Sequence, residues 1–128
     1  MNNLNSVLIE GNLTHDPSLT TLPSGKNVCR FSIATNYYYR NKEKELISDV
    51  TYVNIDTWGG LAESCDKYLK KGRGVRVVGR LRQERWNDEE GRPREKYIIV
   101  AEHVEFQAKP SKQREEESIE GEAEVEEE

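Results

Sequence analysis

The sequence predicts a small all-β protein with one short helix. Three observations lead to this prediction. Most of the chain alternates apolar and polar residues with a period of two, which is typical of half-buried strands. A single stretch changes to a four-residue period, which is typical of an amphipathic helix. Clusters of Gly, Pro, Asn and Asp separate these segments and indicate turns. The length of 128 residues is enough for one domain.

Three strands are predicted before the helix. The first covers residues 5–13 and places Val7, Ile9 and Leu13 on one side. The region from 14 to 27, with Asp16-Pro17 and Pro23-Ser24-Gly25, is predicted as turns. The other two strands cover residues 28–36 and 50–58, and the charged segment between them, residues 40–49, is predicted to be a mobile hairpin tip.

The helix and two further strands complete the predicted order. Leu61, Cys65 and Leu69 recur every four residues, and Gly72 is well placed to end a helix over residues 61–71. Strands follow at residues 74–86 and 97–106, with a polar loop between them. Five strands with a helix between the third and fourth is the order of an OB-fold, a five-stranded Greek-key barrel.

The charge of the chain is divided unevenly along its length. The net charge is −5, but residues 115–128 contain nine acidic side chains, no basic ones and few apolar ones. Such a composition cannot offset the entropy of ordering, so a disordered acidic tail is predicted. Residues 1–114 then carry a net charge of +4. We therefore expect an OB-fold domain at residues 1–106, and a linker and disordered tail at 107–128.

Several classes of protein are excluded by what the sequence lacks. No apolar run approaches the ~18 residues of a membrane span, and the first residues do not resemble a signal peptide. Cys29 and Cys65 have no zinc-ligand spacing, and His15 and His103 have no partners for a catalytic triad. A phosphate-binding GxxxxGK[ST] motif is also absent. We expect a soluble cytoplasmic protein with no catalytic residues, metal site or cofactor.

A pattern of basic and aromatic residues identifies the candidate binding surface. The even positions of the fourth predicted strand share one outward side and include Arg76, Arg80, Arg82 and Trp86. The third predicted strand places Tyr52 and Trp58 outward in the same way. Cations that follow phosphates and rings that stack on bases are the general means of binding single-stranded nucleic acid. In the competing interpretation, the rings only pack against the protein and the arginines only keep the strand soluble. The joint pattern on two strands favours binding.

Four motifs make the sequence similar to the bacterial single-stranded DNA-binding protein family: NSVLIEGNLTHDP, FSIAT, TWGGLAESCDKYLKKG and VVGRLRQERW. The resemblance runs from about residue 3 to residue 106. It implies an OB-fold that assembles as a homotetramer and wraps single-stranded DNA during replication, recombination and repair, in association with the nucleoid. It implies no catalysis.

The resemblance also implies roles for individual residues. It places stacking rings at Tyr39, Tyr52, Trp58 and Trp86, and basic side chains beside the DNA at Lys71, Arg80, Arg82 and Arg85. Arg76 is a candidate on alternation alone. Tyr39 shares its parity with Phe31 and Ile33, so it faces outward only if the strand bulges or curls before it.

Two departures from the family pattern change what is expected. Many members carry Trp where Tyr39 and Tyr52 stand, so we expect stacking to be kept with smaller rings. The family's acidic tail usually ends in an Ile-Pro-Phe-like tip that docks partner proteins, whereas this sequence ends in three glutamates. Replication and repair proteins are therefore expected partners without their usual docking motif. The tail is expected either to compete with DNA for the arginines at low salt or only to keep the protein soluble.

Two alternatives to this function stay open at the level of sequence. One is an OB-fold module that binds RNA or serves as an accessory replication protein. The other is a protein whose barrel mainly assembles with a partner subunit, in which case Trp58 and Trp86 would be buried by protein.

Overall fold

The structure is a computed structural model that describes residues 1–108. These residues form six strands and one helix: β1 (Val7–Leu13), β2 (Ser18–Thr21), β3 (Asn27–Arg40), β4 (Leu46–Trp58), α1 (Gly59–Tyr68), β5 (Gly74–Asn87) and β6 (Pro93–Phe106). β6 ends at Phe106, and the domain boundary proposed there stays a prediction. The predicted acidic tail, with all but the first two residues of the predicted linker, lies outside the described residues.

Five of the strands close into a barrel. They are hydrogen-bonded in the order β1-β5-β6-β4-β3, and β3 returns to β1 through the pairs Asn12–Ala34 and Leu13–Ile33. β4 and β6 are parallel, and the other pairs are antiparallel. With α1 between the third and fourth strands of this barrel, the predicted OB-fold is confirmed.

The sixth strand, β2, was not predicted. It lies within the segment that the sequence indicated as turns, and it pairs with residues 27–30 of β3. All four of its residues are exposed. Because neither side is buried, the strand carries no apolar alternation that sequence analysis could detect.

Two hairpin arms extend beyond the barrel. In the first arm, residues 35–40 of β3 pair with residues 46–51 of β4 and with no other strand. In the second arm, residues 82–87 of β5 pair with residues 93–98 of β6. The predicted charged loop is therefore wrong in its length, because only residues 41–45 form the turn. Both arms expose most of both faces, so hydrogen bonding rather than burial maintains these strands.

The core lies between the inner side of the barrel and α1. Ile33, Ile55, Val75 and Val77 point inward from the strands and are almost fully buried. The helix contributes Ala62 and Cys65, and Leu69 follows its last turn. Within residues 1–108 no helix is long and apolar enough to cross a membrane.

The two cysteines are free thiols inside this core. Burial raises the pKa of Cys29 to about 11 and that of Cys65 to about 12. Both thiols therefore stay protonated and behave as small apolar groups.

Candidate nucleic-acid interface

One outward surface crosses four neighbouring strands, and we call it the outer face. Strand register defines it, because residues paired across a ladder point to the same side. Arg30 pairs with Asp56, Asp56 with Val100, and Val100 with Arg80. Alternation along the strands then adds further members, among them Tyr52 and Trp58 from β4, Arg82, Glu84 and Trp86 from β5, and Lys96 and Ile98 from β6.

Three of the four predicted rings lie on the outer face. Tyr52 is 67% exposed at the base of the first arm, and Trp86 is 47% exposed near the tip of the second. Trp58 is partly buried at the end of β4. Gly59, directly after it, has φ of +65°, a left-handed conformation that favours glycine and lets the chain leave the strand at once for α1. All three rings project from strands that are hydrogen-bonded to neighbouring strands.

Basic groups accompany the rings. Arg82 is exposed, and Arg80 Nη1 lies 4.0 Å from a carboxylate oxygen of Glu102. Lys96 Nζ lies 6.0 Å from the centre of the Trp86 ring, a cation–π contact. Sequence analysis missed Lys96 because the residue was assigned to a loop. Lys96 alternates with Arg94 and Ile98, and this alternation could have indicated that it lies on the outer face.

Arg85 lies on the opposite side of the second arm from Trp86, since the two are consecutive in a strand. Both are exposed, and both border an open cavity of about 600 Å³ at the arm. Arg85 can therefore reach a chain that passes along the arm's edge, but it does not belong to the outer face.

The structure pairs Arg76 with two carboxylates and places Lys71 between α1 and β5. Arg76 lies six residues before Arg82, about 20 Å at ~3.4 Å per residue. Its guanidinium donates hydrogen bonds to Glu10 and, over 3.2 Å, to Glu105, and it holds the pKa of Glu10 below its usual value. Lys71 follows α1, where its backbone N–H donates to Asp16 Oδ1 over 2.8 Å.

Tyr39 lies on the other side of the first arm. A bulge before Tyr39 is excluded, because β3 and β4 pair without a shift from Val28–Trp58 to Arg40–Leu46. Tyr39 accordingly keeps the parity of Ile33, and its ring centre lies 6.0 Å from that of Tyr37. The structure therefore separates Tyr39 from Tyr52.

A buried carboxylate lies in the middle of the outer face. Asp56 is only 3% exposed, and Arg30 Nε lies 3.5 Å from each of its carboxylate oxygens. Burial raises the pKa of Asp56, while Arg30 acts in the opposite direction. Beside it, Lys96 Nζ lies 3.7 Å from Glu84 Oε1. Arg30 and Lys96 are thus partly neutralised. Sequence analysis missed this pairing because it depends on the register of four strands.

Among residues 1–108, no group of three or more His, Cys, Asp or Glu side chains is arranged to hold a metal ion. The surface instead combines exposed rings with cations over the buried side chains of Ile98 and Val100. Such an arrangement can stack on unpaired bases and contact phosphates.

Known proteins share much of this sequence and its fold. Residues 4–107 match the model of the single-strand binding protein family. A single-stranded DNA-binding protein of Wolinella succinogenes is 36% identical over 102 residues, which cover 80% of this chain and 63% of that protein. One of Aquifex aeolicus is 39% identical over 107 residues, which cover 84% of this chain and 72% of that protein. The matched region thus spans less than two thirds of the Wolinella protein.

Solved structures show the same fold. The structure described as the Plasmodium falciparum SSB complex with ssDNA aligns with a TM-score of 0.76 at 28% identity, covering 84% of this chain and 97% of that one. The family match extends over most of the chain and includes all six strands and the helix. The resemblance found in the sequence is confirmed, and the chain belongs to the single-strand binding protein family.

Proposed function

We propose that this chain binds single-stranded DNA without sequence preference and protects it during replication, recombination and repair. One observation supports this above all: Tyr52, Trp58 and Trp86 share the outer face with Arg80 and Arg82. Each stacked base contributes roughly 1–3 kcal/mol, and any base can stack because every base has a π-face.

The mechanism has two parts. Bases stack on the rings of the outer face, and the arginines neutralise phosphates along the backbone. Duplex DNA is disfavoured because its bases already stack on one another. The role is one of binding and includes no catalytic step.

Further contacts rest on the family resemblance. Tyr39, Lys71 and Arg85 are proposed as DNA contacts at the margins of the outer face. Arg76 is left out of the proposal, because Glu10 and Glu105 already pair with it. Assembly as a homotetramer, a cytoplasmic and nucleoid-associated location, and partners among replication and repair proteins are proposed on the same resemblance.

A fluorescence titration tests the function directly. The chain has two tryptophans, and both lie on the outer face, so poly-dT should quench their emission to saturation. The affinity should fall as salt rises, because binding releases counterions from the strand. Absence of quenching at low salt would contradict stacking on these rings. A parallel titration with poly-rU separates DNA from RNA, and equal affinities would overturn the choice of DNA.

A further inference from the structure

Three consecutive tyrosines on β3 point to alternate sides of the first arm. Tyr37 and Tyr39 are on one side, where their ring centres lie 6.0 Å apart. Tyr38 is on the other side, and 58% of its surface is exposed. Each of these rings offers a large apolar area that a binding partner can cover. The side of the arm on which a ring lies therefore determines which partner it can contact.

Strand register places Tyr38 on the outer face. The β3–β4 ladder has no shift between the barrel and the tip of the arm. Tyr38 pairs with Ser48, Asn36 with Val50, and Ala34 with Tyr52. Tyr38 therefore shares a side with Tyr52, and the small Ser48 side chain opposite leaves its ring uncovered.

The spacing suits a strand of unpaired bases. Tyr38 is four residues from Ala34, the partner of Tyr52, so the two rings stand about 14 Å apart along the arm at ~3.4 Å per residue. The half-exposed Val50 lies between them as an apolar surface. Arg40 follows on the same side and supplies a cation at the tip, where its Nη1 also donates to the carbonyl oxygen of Lys44.

We propose that Tyr38 is a base-stacking residue that extends the outer face from Tyr52 to the tip of the first arm. The inference rests on the proposed binding of single-stranded DNA and adds a contact to that site. A DNA strand whose bases stack on Tyr52 continues across Val50 to Tyr38. A phosphate of that strand near Tyr38 then contacts Arg40.

Neighbouring tyrosines provide a matched test. Tyr38→Ala should weaken binding to oligo-dT at least five-fold, while Tyr38→Phe should bind as the parent does, because stacking needs the ring and not the hydroxyl. Tyr37→Ala is the control, since Tyr37 is similarly exposed on the opposite side of the same arm. It should change the affinity less than two-fold. Circular dichroism checks that each variant folds.

Photo-crosslinking gives an independent measurement of contact. Oligo-dT containing 5-iodouracil should crosslink to the peptide of residues 31–40, and fragmentation should place the adduct on Tyr38. An adduct on Tyr37 or Tyr39 without one on Tyr38, or an unchanged affinity in Tyr38→Ala, would overturn the inference. If Trp86→Ala weakens binding while Tyr38→Ala does not, only this inference fails. If the parent protein does not bind oligo-dT, the proposed function fails and this inference with it.

Discussion

At the scale of single residues, the outer face combines exposed rings with charges that are already partly paired. Tyr52 and Trp86 offer aromatic surface to solvent, whereas Arg30 and Lys96 lie beside carboxylates. Removing a ring and removing a cation should therefore affect the affinity for DNA in different ways. A ring contributes stacking directly, but a paired cation must leave its carboxylate before it can serve a phosphate.

Trp86→Ala should weaken binding to single strands of every sequence. The expected loss is about 1–3 kcal/mol, roughly 5- to 150-fold, because one stacked base is given up. Tyr97→Ala is the matched control, since Tyr97 is exposed on the opposite side of the same arm and should matter little. Affinities for oligo-dT, oligo-dA and oligo-dC measure both. A loss confined to one sequence would contradict stacking as the mechanism.

Asp56→Asn should raise the melting temperature at pH 7. Burial raises the pKa of Asp56, so between its ordinary pKa and the raised one the folded protein holds more protons than the unfolded protein. Stability therefore falls as pH rises through this window, and the amide removes that loss. The neighbouring Arg30 side chain is about half exposed, so water can solvate its charge once the carboxylate is gone.

Thermal melts from pH 3 to pH 7 test the Asp56 prediction. The advantage of Asp56→Asn should be largest at pH 7 and should vanish below the ordinary pKa of aspartate, where the parent carboxyl is also neutral. A variant less stable than the parent at pH 7 would show that the ion pair with Arg30 outweighs desolvation. The same substitution should tighten DNA binding at low salt, because it removes a negative charge from the outer face.

At the scale of elements, the second arm begins from a close backbone contact at the barrel. Gly79 lies on β5 beside an irregularity in the β5–β6 ladder, where Glu102 is the additional residue on β6. A Cβ at position 79 would lie 2.2 Å from the carbonyl oxygen of Val100. No L side chain fits there without moving the strand that leads into the second arm.

Gly79→Ala should lower the free energy of unfolding by about 1–3 kcal/mol, the usual cost of overpacking. Gly60→Ala is the control, because a Cβ there meets open space in the first turn of α1 and should stabilise the protein by up to about 1 kcal/mol. Urea unfolding measures both. Equal stability of Gly79→Ala and the parent would show that the two strands can separate at no cost.

At the scale of the whole molecule, the negative net charge does not indicate that basic residues are concentrated in one segment. The chain has a net charge of −5, yet seven basic residues and one acidic residue lie between positions 70 and 85. Not all of these cations are equivalent in the folded protein. Arg82 is exposed to solvent on the outer face, whereas Arg76 forms ion pairs with Glu10 and Glu105.

Salt dependence should separate these arginines. For single strands, the logarithm of the binding constant falls with the logarithm of salt concentration by about 0.7 per phosphate contacted. Arg82→Gln should make this slope shallower by about that amount, and Arg76→Gln should leave it unchanged. Trp86→Ala should lower the affinity with the slope kept. A shallower slope in Arg76→Gln would show that DNA displaces the two glutamates and reaches this arginine.

Much of the fold followed from local pattern alone. Alternation and the change of period at Leu61 predicted five strands, one helix and their order, because burial on one side imposes a period on the sequence. The same alternation identified Tyr52, Trp58 and Trp86 as members of one surface. β2 and the lengths of the two arms could not be predicted in this way, since strands exposed on both sides carry no such period.

The sequence by itself thus determined the barrel, the helix position and three stacking candidates, because each depends on residues close together in the chain. Tertiary structure decided the pairing of Arg76, the burial of Asp56, and the side of the first arm on which Tyr38 and Tyr39 each lie. These features depend on the register between strands that are distant in sequence. A shift of one residue would exchange the two sides of an arm, and only the assembled ladder specifies on which side each ring lies.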